Sequence, residues 1–304
     1  MTWYDGGLMP PAPAELPPGE RLPDNGVLYI GSKGKTYHGS VCQVSQRVDS
    51  VKERAMPRID VSITTRDGIC PASVFTPSDS GGPWPAVIFF MDGLGIRPVM
   101  WAMGQRLADS GYLVLLPDLY YRLGAYPPMN PAQVLSDPKA MGDLMKFVTS
   151  LNRDCKVADA AAFIDFLSSR PDVKGDRFGA TGYCMGGNAS LTAAGAFPDR
   201  FAAAASFHGG NLAGDQPDSP HLFLNKMTGR VYVAGAIEVA HFPEEQKKRL
   251  EEVLTEAGVD HLIETYPGAR HGFAVPDLPV FNPAAAERHW KALFGIFHET
   301  LQGA

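Results

Sequence analysis

The chain has 304 residues, 45% of them hydrophobic, enough to build the core of one large domain without a second globular one. A formal net charge of −6 and the lack of a Lys/Arg run argue against nucleic acid or an anionic membrane as partner. No apolar stretch reaches the roughly 18 residues of a membrane span and no basic-then-apolar leader opens the sequence, so a soluble, cytoplasmic protein is expected.

Residues 1–50 read as a Pro/Gly-rich N-terminal extension: six prolines fall in the first 23 residues and no helical or strand period persists. Such an arm could lie along the domain or along a second copy, giving a homo-oligomer. Residues 51–304 read as a single α/β domain. Alternation at Ile59, Val61 and Ile63, followed by Arg66-Asp67-Gly68, predicts an antiparallel edge hairpin with Ala72–Phe75. Strands are then expected near 86–91, 112–116, 177–182, 202–206, 230–235 and 261–266, with helices near 99–110, 156–169, 186–196, 243–257 and 282–302. This alternation predicts a doubly wound, mostly parallel sheet with helices on both faces. Residues 121–154, with Pro127, Pro128, Pro131, Met141, Leu144, Met145 and Phe147, are expected as an insertion over the carboxyl edge of the sheet, either an apolar lid or an ordinary packed helix. Four cysteines (Cys42, Cys70, Cys155, Cys184) without CxxC or metal spacing fit reduced thiols, and no metal or other cofactor is expected.

Gly182-Tyr-Cys184-Met-Gly186-Gly187 lies between a strand-like run and a small-residue helical run, the setting of a nucleophile elbow. Glycines on either side let strand and helix approach closely while the central residue takes a strained conformation. Cys184 would then sit exposed at a helix N-terminus, where the dipole favours its thiolate and the Met185 N–H faces a developing oxyanion. The alternative is a small buried hydrophobe. A base is expected later in the chain, and His271, in a loop after the strand at 261–266, fits it. His208 and His241 are its rivals, and His208 could line the pocket. The loop after the strand at 85–90 offers Gly93 as a second N–H donor, with Asp92 beside the thiol either holding its proton or capping a helix.

Asp92-Gly93, Pro117-Asp-Leu-Tyr120, Gly-Tyr-Cys-Met-Gly-Gly and Arg270-His-Gly-Phe273 together resemble the dienelactone hydrolase family, over about Ile59 to Leu301. The resemblance implies an α/β-hydrolase fold and a cysteine hydrolase for an ester or lactone, such as carboxymethylenebutenolide, working through an acyl-enzyme. It implies Cys184 as nucleophile, His271 as base, Gly93 and Met185 as oxyanion donors, and Asp92 in the place usually held by glutamate. Arg122 is a substrate-carboxylate contact on this reading and a surface ion pair on the plainer one. The family's triad aspartate has no counterpart. One loop register puts Glu238 there and the other puts Val239, which cannot orient a histidine. A general carboxylesterase for simple esters and a catalytically silent binding protein are the competing expectations.

Overall fold

The computed structural model describes residues 27–31, 34–38, 58–78, 81–238 and 240–303. The chain forms two units, Met1–Glu53 and Arg54–Ala304. In the first, strands β1 (Val27–Gly31) and β2 (Gly34–His38) form an antiparallel pair, with Val27 opposite His38 and Gly31 opposite Gly34. Two strands of five residues each are too short for a persistent period to show in the sequence. Val27, Tyr29, Ile30, Thr36 and Tyr37 favour extended backbone, and glycines flank the link. The rest of the expected extension, and Val239, lie outside the described residues.

The second unit is built on an eight-stranded mixed sheet. Its strands are β3 (Arg58–Thr65), β4 (Gly68–Phe75), β5 (Ala86–Phe90), β6 (Leu113–Pro117), β7 (Phe178–Tyr183), β8 (Phe201–Phe207), β9 (Arg230–Gly235) and β10 (His261–Thr265). Their spatial order is β10-β9-β8-β7-β5-β6-β4-β3. The β3–β4 hairpin and the β4–β6 pair are antiparallel and the other five pairs parallel. Every residue of β5, β6, β7 and β8 is buried, as expected for strands covered on both faces.

Helices α1 (Pro98–Ala108), α2 (Pro131–Ser136), α3 (Pro138–Ser150), α4 (Arg153–Ser168), α5 (Met185–Ala196), α6 (Glu244–Glu256) and α7 (Pro283–Phe297) fill the connections. From β5 the chain passes through α1 to β6 on one side, whereas from β7 it passes through α5 to β8 on the other. The loops that leave β5 and β7 therefore diverge, opening a crevice at the carboxyl ends of these strands where ligands bind in such sheets. The insertion starts with a short 3₁₀ turn, Tyr121–Leu123, and continues as α2 and α3. Val134 and Leu144 from these helices form a buried cluster with Leu94, and Leu278 packs against it. The insertion thus rests on the loops beyond β5 and β10, each fully buried leucine or valine contributing about 1.5–3 kcal/mol.

Candidate active site

Cys184 stands between β7 and α5 with φ 54° and ψ −116°, a conformation that L side chains rarely adopt. The glycines around it explain how strand and helix meet. A Cβ on Gly182 would lie 2.0 Å from the Gly186 carbonyl oxygen, and one on Gly186 would lie 2.3 Å from the carbonyl oxygens of Phe90 and Met91. A Cβ on Gly187 would come within 2.4 Å of Ser206 Oγ. These contacts leave room for no side chain at the three positions.

The half-buried Cys184 sulfur is 3.1 Å from His271 Nε2. Backbone N–H groups of Met185 and Gly93 also point at it and favour its ionised form. Burial, with the Asp92 charge adding to it, outweighs them and pushes the thiol up to about 11. Gly93 is held in turn by Tyr120, whose hydroxyl donates to the Gly93 carbonyl at 2.7 Å. The Tyr120 ring packs against Tyr126 and Phe147, and Tyr126 donates to Asp118 while accepting from the Ile96 N–H.

His271 is held down to about 4, by burial first and then by its neighbour His241, with Glu238 opposing both. The His241 ring lies 4.1 Å from the His271 ring, tilted by 36°, and His208 meets it edge-on at 5.2 Å. His208 is fully buried with a φ of 40°, and neither of its ring nitrogens has a partner among the described residues. Burial drives its pKa well below that of an ordinary histidine.

Glu238 reaches the same loop by a different route from a triad acid. Its Oε2 accepts the His271 backbone N–H at 2.7 Å and its Oε1 accepts from Arg270 Nε at 2.8 Å. Among the described residues, no carboxylate accepts a hydrogen bond from the His271 ring. Asp92 is buried and does not hydrogen-bond the thiol. Its oxygens accept from Arg97 at 2.6 and 2.8 Å and from the Leu94 N–H at 3.0 Å. Arg97, which no sequence motif marks, also binds Asp277. Helix α1 begins only at Pro98, with Arg97 as its cap residue, so Asp92 closes a loop turn and caps no helix. Arg122 is tied to Asp67 and, through two bonds at 2.7 and 2.8 Å, to buried Asp159. Two adjoining cavities of about 360 and 400 Å³ share Pro71, Ile96 and Asp118, and neither is lined by Cys184 or His271.

The family model described as "Dienelactone hydrolase family" matches residues 70–301. The chain belongs to the dienelactone hydrolase family. A Synechocystis protein provisionally named carboxymethylenebutenolidase is 26% identical over 231 residues, covering 73% of this chain and 88% of its own length. A protein of the same provisional name from Escherichia coli K12 is 26% identical, covering 78% of this chain and 85% of its own. A Klebsiella pneumoniae structure provisionally named dienelactone hydrolase superposes with a TM-score of 0.68 at 23% identity, over 79% of this chain and 97% of its own. A metagenomic structure titled as a dienelactone hydrolase-like promiscuous phosphotriesterase gives 0.65 at 23% identity, over 80% of this chain and 98% of its own. The fold is thus that of an α/β-hydrolase, and membership in the dienelactone hydrolase family makes the protein a hydrolase of ester or lactone substrates. No helix among the described residues is long and apolar enough to cross a membrane.

Proposed function

We propose that this member of the dienelactone hydrolase family cleaves a carboxylic ester or lactone with Cys184 as nucleophile, through a thioester acyl-enzyme. The observation that carries the reading is the 3.1 Å contact between His271 Nε2 and a sulfur that also faces the Met185 and Gly93 N–H groups. A thiol pushed up to about 11 beside an imidazole held near 4 rests as a neutral pair. Attack on the acyl carbon therefore proceeds as the thiol proton passes to Nε2. The carbonyl oxygen takes the negative charge, with Gly93 and Met185 donating to it. The C–O bond to the leaving group then breaks and Nε2 returns the proton to the departing alcohol. In the second half, His271 takes a proton from water as that water attacks the thioester, and the thiol regains it as the acid leaves.

Glu238 supports this cycle by fixing the His271 main chain. His208 would form the pocket wall against His271. Carboxymethylenebutenolide bears a carboxylate, whereas Arg122 is already committed to two aspartates, which favours simple uncharged esters as the working substrates. The test is turnover of chromogenic short-chain esters, with and without a carboxylate in the acyl part, by the parent and by Cys184→Ala and His271→Ala. The expected result is hydrolysis of the uncharged ester, a loss of at least about 10³ in kcat for both variants, and no gain from the carboxylate. Unchanged turnover by Cys184→Ala would overturn the assignment, and a strong preference for the anionic ester would restore Arg122 to a binding role.

A further inference from the structure

Arg97 ends the loop that leaves β5, has 4% of its side chain exposed, and uses every N–H of its guanidinium. Nη1 donates to Asp92 Oδ1 at 2.6 Å and to the Gly95 carbonyl at 3.1 Å. Nη2 donates to Asp92 Oδ2 at 2.8 Å and to Asp277 Oδ1 at 3.0 Å, and Nε donates to Asp277 Oδ2 at 2.7 Å. A guanidinium has five such hydrogens in a fixed fork, so none is left over for a ligand.

The two carboxylates sit on different loops. Asp92 opens the turn that carries Gly93, closed by its own side chain on the Leu94 N–H and by its carbonyl on the Gly95 N–H. Asp277 follows His271 in a run of tight turns that pairs Phe273 N–H with Arg270, Val275 with Gly272 and Leu278 with Val275. One buried side chain therefore ties the loop whose N–H faces the Cys184 sulfur to the loop whose imidazole touches it.

We infer that Arg97 is a positioning residue for the hydrolytic reaction proposed above, holding the Gly93 N–H and the His271 ring in one register about Cys184. Burial raises the Asp92 pKa, and the Arg97 hydrogen bonds and charge lower it without cancelling the rise. A buried ion pair is often replaceable by apolar side chains without loss of stability. An apolar side chain could not set the angle between two loops. The other titratable groups facing the sulfur are His271 and the Tyr120 hydroxyl, with His208 and His241 behind the imidazole.

The inference is tested with Arg97→Met and Arg97→Lys, using ester kinetics per alkylatable Cys184, the pH dependence of Cys184 alkylation, and thermal unfolding. Arg97→Met is expected to lower kcat by about tenfold or more while KM moves by less than about threefold, the pattern of a lost transition-state contact. Its Asp92 would lose the contacts that lower its pKa and bind a proton more readily, reducing the charge that holds the thiol pKa up, so the alkylation midpoint should move to lower pH. Arg97→Lys keeps the charge without the fork and should hold that midpoint at the parent value while kcat stays between the other two. If the Met variant does not fold, the Lys variant decides alone: a lower kcat at unchanged KM supports the inference and an unchanged kcat overturns it. A lower melting temperature with parental kcat and alkylation midpoint would reduce Arg97 to packing and overturn it as well. If the parent hydrolyses no ester, the functional proposal fails separately, and the alkylation midpoint still decides whether Arg97 sets the state of Asp92.

Discussion

At Cys184 two sets of forces act on one proton. The helix N-terminus and two N–H groups favour the thiolate, and an exposed dipole of this kind is worth about 0.3–1 kcal/mol. Burial and the Asp92 charge act the other way and prevail. The sequence displayed the first set plainly, because Gly182, Gly186 and the helical run after them mark the elbow, but the depth of burial depends on packing by distant residues. The same limit explains the other residues. His271 could be found from its place after a strand, whereas Arg97 looked like any loop arginine, since its partner Asp277 is 180 residues away. Glu238 could be placed near His271, yet whether it would meet ring or backbone depended on side-chain direction. The depressed imidazole has a measurable consequence. His271 is in its basic form at any pH above about 4, so kcat/KM should stay level from about pH 5 to 10 and fall only below that, as the imidazole takes up a proton. An acid limb near pH 6.5 in the pH–rate profile would show that His271 titrates as an exposed histidine instead.

Helix α5 and helix α3 place opposite demands on glycine. Gly186 lies where a Cβ would strike two backbone carbonyls at 2.3 Å, and neither can retreat without moving the end of β5. Gly142 lies within α3 with nothing within 4 Å of its would-be Cβ. Gly186→Ala should destabilise the fold by more than about 3 kcal/mol, by overpacking against main chain. Gly142→Ala should stabilise it by about 0.5–1 kcal/mol, the helix propensity gained. Melting temperatures of the two variants check both, and a tolerated Gly186→Ala would mean that β7 and α5 can separate. Periodicity reveals neither demand, since both glycines interrupt helical runs in the same way. Periodicity does reveal the strands, because unbroken runs such as Ala86–Phe90 and Leu113–Pro117 have few alternatives. The 3₁₀ stretch Pro220–Lys226 escaped, being held by contacts with α5 and α6 and not by any repeat of its own.

Among the described residues, burial drives His208, His271 and His289 far below the ordinary histidine range, and it lowers His221 as well. His289 is held near 3, chiefly by burial, with its Nδ1 facing the Ala286 carbonyl at 2.7 Å and its Nε2 facing the Tyr183 hydroxyl at 2.7 Å. The folded state excludes protons that the unfolded chain binds near pH 6.5, so stability is complete above that pH and declines as pH falls through it. With three such groups the slope approaches about 4 kcal/mol per pH unit between roughly pH 6 and 4. Urea unfolding across this range checks it, and a flat midpoint would mean that these imidazoles are protonated in the folded protein.

The distance along the chain between Arg97 and Asp277 also sets an order of events during synthesis. A ribosome delivers the elbow, the loop at Asp92 and most of the sheet well before residues 271–277 emerge. Until then Arg97 lacks its second carboxylate and Cys184 its imidazole. A chain interrupted in that interval would hold the elbow cysteine without the neighbouring imidazole or the second half of the Arg97 tie, so the proposed chemistry waits for residues 271–277.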